Sequence, residues 1–178
     1  KEDNLVFRTL QGTTPVDIAV TALQVAGCDL RELATSEEGE KLLPQLEIQG
    51  KSLPRVDLSG VLWEGCTVAD TDLRRALLYG CGFRNCRFTN CTLDGAVMEN
   101  AVISGCEFRA CTFTHATLKG VVSVGSVLFD RCDFDLSDLT DIKFQPNEEG
   151  QTEFTACTNL GYSVCNRKGW TGNFVLRK

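Results

Sequence analysis

The chain has 178 residues, enough for one domain with a real core and too short for two independent ones. Its 24 acidic and 18 basic residues give a net charge of −6, which argues against direct nucleic-acid binding through a basic face. No stretch approaches the roughly 18 apolar residues of a membrane span and no basic-then-apolar signal opens the chain, so no membrane insertion is expected.

The start at Lys1, without a Met, points to an excised piece of a longer protein or to a processed form. Residues 1–45 read as an N-terminal cap with short helices. Thr14-Pro15 followed by Asp17 has the look of a helix start, and Gly27 closes a segment carrying Ile18, Ala19, Ala22, Leu23 and Ala26 on one face. Ser36 with Glu37, Glu38 and Glu40 reads as a second short turn that stops before Pro44, and Cys28-Asp29-Leu30 as a stray fragment of the pattern that follows.

From residue 46 the chain repeats every five residues. The centres run Ile48, Leu53, Leu58, Trp63, Val68, Leu73 and so on to Phe113, Leu118, Ser123 and Leu128, and only Ser123 is not apolar. Two positions before each centre stands a small residue, such as Val56, Cys66, Ala76, Cys86, Ala96 or Cys106, with Lys51 and Leu46 the exceptions. Gly, Asn or Asp often ends the quintet, residues that tolerate the backbone angles of a tight corner. Neither a period of 3.6 nor one of 2 puts every fifth residue on one face. A square coil does: four quintets make one turn, and residues 20 apart stack at about 4.8 Å, the spacing of paired strands.

After Asp130 the frame slips by one and resumes as Cys132-Asp133-Phe134, Ser137-Asp138-Leu139 and Ile142-Lys143-Phe144, which makes Arg131 the expected bulge. Residues 46–145 thus form about five coils, roughly 24 Å of rod at about 4.8 Å per coil. Residues 146–178 read as a polar loop, Pro146 to Gly150, and a non-repeat C-terminal cap, because Phe154, Leu160, Tyr162, Trp170, Phe174 and Val175 supply enough apolar surface to cover the last coil.

Quintets such as Val56-Asp57-Leu58-Ser59-Gly60, Thr71-Asp72-Leu73-Arg74-Arg75 and Cys91-Thr92-Leu93-Asp94-Gly95 resemble the A-(D/N)-L-x-x motif of the pentapeptide-repeat family over about residues 46–145. The resemblance implies an all-β solenoid, a right-handed quadrilateral β-helix, the square coil that the period reaches independently.

Seven of the ten cysteines take the small inward position, with Cys66, Cys86 and Cys106 in one column and Cys91, Cys111 and Cys132 in another. Parallel side chains in a ladder do not easily give the near-90° dihedral of a disulfide, and a line of sulfurs cannot surround a tetrahedral zinc. Buried free thiols in a reducing compartment, bacterial cytosol or host cytosol, are the expectation. Cys157 and Cys165 fall outside the frame, which leaves a cap disulfide open. His115, the single histidine, takes a solvent-facing corner while Cys111 points inward, so the two make no nucleophile pair. Asp130, Asp133, Asp135, Asp138 and Asp141 lack the glycine and terminal glutamate of a calcium loop and read as a solvated face. No catalytic residues, metal site or cofactor are expected, and the chain is read as no enzyme.

Outward positions of such a rod are normally polar, which makes the apolar ones informative. Leu62, Val102, Val122 and Val124 share one face, Leu77, Tyr79 and Val97 the next, and Val127 and Phe129 a third. The expected function is a non-catalytic scaffold that binds a protein partner through these residues; the alternative is that loops or caps cover them. The resemblance adds that bacterial members include effectors that carry such a β-helix as a targeting or substrate-binding module. The alternative it raises is a DNA-mimicking topoisomerase-binding protein of the quinolone-resistance type. Residues 46–145 carry 13 acidic and 10 basic residues, a net −3, mild for a DNA mimic.

Overall fold

The computed structural model describes residues 20–24, 26–28, 34–35, 41–43, 45–160 and 168–178. Most of the repeat consists of three-residue strands or single bridging residues whose centre is buried while its neighbours face outward. One sheet stacks β1 (Ala34–Thr35), β2 (Lys41–Leu43), β4 (Leu62–Glu64), β6 (Gly82–Arg84), β8 (Val102–Ser104), β10 (Val122–Val124) and β12 (Lys143–Gln145). The other stacks β3 (Glu47–Gln49), β5 (Thr67–Ala69), β7 (Arg87–Thr89), β9 (Glu107–Arg109), β11 (Val127–Asp130), β13 (Thr152–Thr155) and β14 (Phe174–Arg177). All pairings are parallel except β1 with β2. Two further faces are held by single parallel bridges, through Ser52, Asp72, Thr92, Thr112 and Asp133 on one and Asp57, Leu77, Val97, Thr117 and Asp138 on the other. The result is the square coil, an all-β solenoid; the seven strands of the second sheet span six steps, about six turns where the period alone suggests five.

Corners are where the chain enters the left-handed region. Gly60, Gly80 and Gly120 do so at φ 71°, 63° and 68°, but Arg55, Arg75, Asn85 and His115 do so as well, at 60°, 58°, 53° and 57°. Backbone bonds between levels hold them there: Arg55 N–H donates to Arg74 O at 2.8 Å and Arg75 N–H to Asp94 O at 2.9 Å.

The core is two kinds of ladder. Phe88, Phe108, Phe129 and Phe154 stack with centroids 4.9, 5.0 and 4.9 Å apart and planes within 9°, and Phe113 on Phe134 at 5.0 Å. The second kind is made of thiols, and the nine described cysteines are all free. Cys86, Cys91, Cys106, Cys111, Cys132 and Cys157 each share the S–H between a carbonyl two residues back and one in the coil below, as Cys106 does with Ser104 O at 3.2 Å and Phe83 O at 3.3 Å. Cysteine suits the position because its weak donor satisfies carbonyls without demanding space. Thiol-to-thiol hydrogen bonding, ahead of burial, pushes Cys66, Cys91 and Cys132 up and draws Cys106, Cys111 and Cys157 down. Burial alone raises every one of them, and it is the effect that favours neutral thiols in an apolar column. Cys81, packed singly, is pushed up to about 11 chiefly by burial.

The frame slip falls earlier than the sequence suggests. Val124 still pairs with Ser104, 20 residues back, whereas Phe129 pairs with Phe108, 21 back, so the extra residue lies between them at exposed Ser126. Arg131 is an ordinary corner with φ 52°. The consequence is that Val127 and Phe129 point inward, 1% and 4% exposed, and Leu128 points out. These two expected surface residues are core residues.

The coil also continues past residue 145. The loop from Pro146 to Gly150, closed by an Asn147–Gly150 bridge, lengthens one turn so that Val127 pairs with Thr152, 25 residues on; β13 and β14 then stack in register. Cys157 sits above Cys132, donating to Phe129 O at 3.2 Å, rather than outside the frame. Its pairing with Cys165 is not seen: Cys157 is a free thiol, and Cys165 lies outside the described residues. Ser123, the one polar centre, hydrogen-bonds Thr152 at 2.7 Å, so both buried hydroxyls are satisfied. At the far end Trp170 packs on Phe144 and Phe174, each 5.0 Å away, and its indole N–H donates to Leu139 O.

At the N-terminal end, residues 20–24 form a helical turn. Cys28 N–H donates to Leu23 O and Gly27 N–H to Gln24 O, both at 2.9 Å, with Gly27 at φ 73°. This is the paired bonding that ends a helix on a left-handed glycine, and the accompanying contact joins buried Leu23 and Cys28 to the core. Lys51, an exception to the small-residue rule, donates through Nζ to Gly27 O at 2.8 Å, satisfying a carbonyl beyond the helix end. Thr14, Pro15, Asp17, Ile18, Ala19 and the expected turn at Ser36 to Glu40 lie outside the described residues.

Candidate interaction surface

Parallel pairing places Leu62, Gly82, Val102 and Val122 in one outward column of the first sheet. Leu62 is half-buried because it lies flat across the next level: a Cβ added at Gly82 would stand 2.5 Å from Leu62 Cδ1. Val102 is left 44% exposed. Val124 stacks on Ser104 and is half-buried. On the preceding face Leu77 pairs with half-buried Val97 and is 40% exposed, and Tyr79 is 51% exposed, its hydroxyl accepting from Asn100 Nδ2 at 3.3 Å. The two faces meet at the corner column Gly60, Gly80, Asn100 and Gly120, which carries mostly no side chain. Leu62, Leu77, Tyr79, Val97, Val102 and Val122 therefore form one apolar strip wrapped around an edge of the rod. Val127 and Phe129 do not join it, being inside.

Two exposed apolar residues that the repeat frame did not single out are Leu136, at a corner, and Leu176 in the last strand, 43% and 46% exposed. The frame resumed at Cys132 already ends a quintet at Leu136, and the structure shows that corner side chain exposed.

The outer face of the second sheet differs. Arg87 and Arg109 both approach Glu107, at 3.9 and 3.1 Å, and Arg109 and Arg131 share Asp130, at 3.1 and 3.2 Å. Its charges are spent on one another, worth little to stability in such an exposed setting but leaving little for a ligand.

A groove of about 980 Å³ runs along the face opposite the first sheet. Ala22 and Ala26 of the N-terminal turn line one side, and Leu53, Pro54, Arg55, Val56, Arg74, Arg75, Asp94 and His115 are among the residues of the other. His115 stands exposed at its corner and Cys111 is buried, so the two do not meet. Among the described residues no group of three His, Cys, Asp or Glu side chains is arranged to hold a metal ion. No helix among them is long and apolar enough to cross a membrane.

Compared with known proteins, residues 52–90 and 81–120 match the family model described as pentapeptide repeats, in eight copies. No curated protein matches the chain. Similar solved structures include a pentapeptide repeat protein, Rfr23, from the cyanobacterium Cyanothece 51142, at 14% identity over 58% of this chain and 86% of that one, TM-score 0.45. Full-length QnrB1, a plasmid-mediated fluoroquinolone resistance protein, aligns at 13% identity over 70% and 83%, TM-score 0.43. A pentapeptide repeat protein of the Arabidopsis thaliana thylakoid lumen aligns at 22% identity over 54% and 63%, TM-score 0.33.

Proposed function

We propose, from the membership of residues 52–120 in the pentapeptide-repeat family and the apolar strip along one edge of the rod, that this chain is a rigid, non-catalytic protein-binding module. The strip carries the reading. A soluble rod has no internal use for exposed Leu77, Tyr79 and Val102 in adjacent columns, whereas a protein partner gains from each apolar side chain it covers. A stacked backbone with bonds at every level presents these side chains with little to order on binding, which favours affinity. The resemblance to a family whose bacterial members include effectors that hold a substrate on such a β-helix supports a targeting role in a bacterial effector. The free thiols of the nine described cysteines support residence in a reducing compartment such as bacterial or host cytosol.

The test is affinity capture from host and bacterial lysates by the chain and by a Leu77→Glu, Val102→Glu double variant of unchanged circular dichroism. One protein captured by the first and lost by the second is the expected result. Capture that survives both substitutions removes the strip as the binding surface. A topoisomerase retained equally by both would instead favour the DNA-mimic function.

A further inference from the structure

The groove beside the N-terminal turn is lined by three arginines, Arg55, Arg74 and Arg75, and by one acid, Asp94. Arg55 and Arg75 leave successive levels of one corner and His115 stands two levels beyond, so the three span about 14 Å at about 4.8 Å per level, the reach of about four extended residues. Neither Arg55 nor Arg75 has a side-chain hydrogen bond or ion pair among the described residues. Of the neighbouring acids, Asp72 grips Arg74 through two bonds of 2.9 and 2.7 Å, and Asp94 accepts Thr114 N–H at 3.0 Å while keeping its charge. Gly95 leaves a notch in the column between Arg75 and His115, and a Cβ there would stand 3.2 Å from Arg75 Cγ. Opposite, Ala22 and Ala26 keep the wall low, and Leu53 and Val56 make the floor apolar.

We propose that this groove binds an extended acidic peptide segment of a partner protein. Carboxylates of the segment would take the guanidinium forks of Arg55 and Arg75, which match a carboxylate in two parallel hydrogen bonds. Its small or apolar residues lie between the two alanines and the Leu53 and Val56 floor. Asp94 repels a carboxylate placed midway and so sets the acids at the arginines. Charge complementarity selects this occupant: three arginines, Arg55, Arg74 and Arg75, line the groove against the single acid Asp94, so an acidic segment is drawn to it. The inference rests on the protein-binding reading but uses a face opposite part of the apolar strip, so the two can fail separately.

The probe is a fluorescent peptide of about eight residues alternating Glu and Ala, followed by anisotropy in about 50 mM and about 300 mM salt. Saturable binding is expected in low salt, weakened at least about tenfold by Arg55→Glu with Arg75→Glu and by a smaller factor by the paired Arg→Lys changes, which keep charge and lose the fork. A Lys-Ala peptide should not bind, and Leu77→Glu with Val102→Glu should change nothing. Absence of saturable binding, or equal binding by the folded Glu double variant, overturns the proposal. So does tighter binding of inorganic phosphate or a single-stranded oligonucleotide, which would make the groove a phosphate site. If the peptide fails while lysate capture still depends on Leu77 and Val102, the groove falls and the protein-binding function stands.

Discussion

A corner residue of this rod is constrained in two ways, by its φ and by whatever stands one level away. Gly80, at φ 63°, has nothing within 4 Å of an added Cβ, whereas the carbonyl of Phe144 occupies that place at Gly172. Gly80→Ala should therefore cost about 1 kcal/mol, the left-handed penalty alone, and Gly172→Ala about 3 kcal/mol or more, because backbone must move. Urea unfolding of the two variants checks this, and equal midpoints would show that φ alone governs the corners. The five-residue period places the corners, as it does for His115, but residue type explains the left-handed φ only where Gly, Asn or Asp fills them. Arg55, Arg75 and His115 adopt the same φ because bonds from the adjacent coil impose it, and the five-residue period alone does not show that the side chains of Arg55 and Arg75 line one groove.

An element of three residues has one inward side chain, and the whole question of function turns on which it is. At β11 the three residues Val127, Leu128 and Phe129 are all apolar, so the period cannot tell a centre from its neighbours, and the slip at Ser126 passes unseen behind an ordinary-looking Gly125 corner. Only pairing of Phe129 with Phe108 decides it. The same limit hid β13, because the loop from Pro146 to Gly150 breaks the count before Thr152-Glu153-Phe154 restores it. Where no residue is inserted, from Ile48 to Ser123, the inward positions read from sequence are those found, and the helix end at Gly27 was legible because its glycine does local work. A substitution pair separates the two kinds of apolar residue. Phe129→Ala removes a ring stacked on both sides and should cost about 3–5 kcal/mol, while Val102→Ala, half in water, should stay within about 0.5 kcal/mol. Comparable losses in thermal or urea unfolding would mean that the strip is structural and not free for a partner.

Over the whole molecule, stacking makes contacts almost entirely between adjacent levels. Each coil bonds to the one before and the one after, and stability is then a sum of local interfaces closed at the two ends by caps. Trp170 is central to the last interface, packing against Phe144, Phe154 and Phe174 and bonding Leu139 O. Its loss should uncover the end of the aromatic ladder and release β14 from β13, since an edge strand without its covering side chains has little else to hold it. Hydrogen exchange of Trp170→Ala should thus quicken by an order of magnitude or more across 152–177 and decline in effect toward the middle coils, leaving 82–109 protected as before. That gradient has a functional consequence: the arginine groove and most of the apolar strip lie on the first four coils, and both binding surfaces should survive fraying of the far end. Exchange that rises uniformly along the rod would show instead that the solenoid unfolds as one cooperative unit, and the C-terminal cap would then control every surface the chain presents.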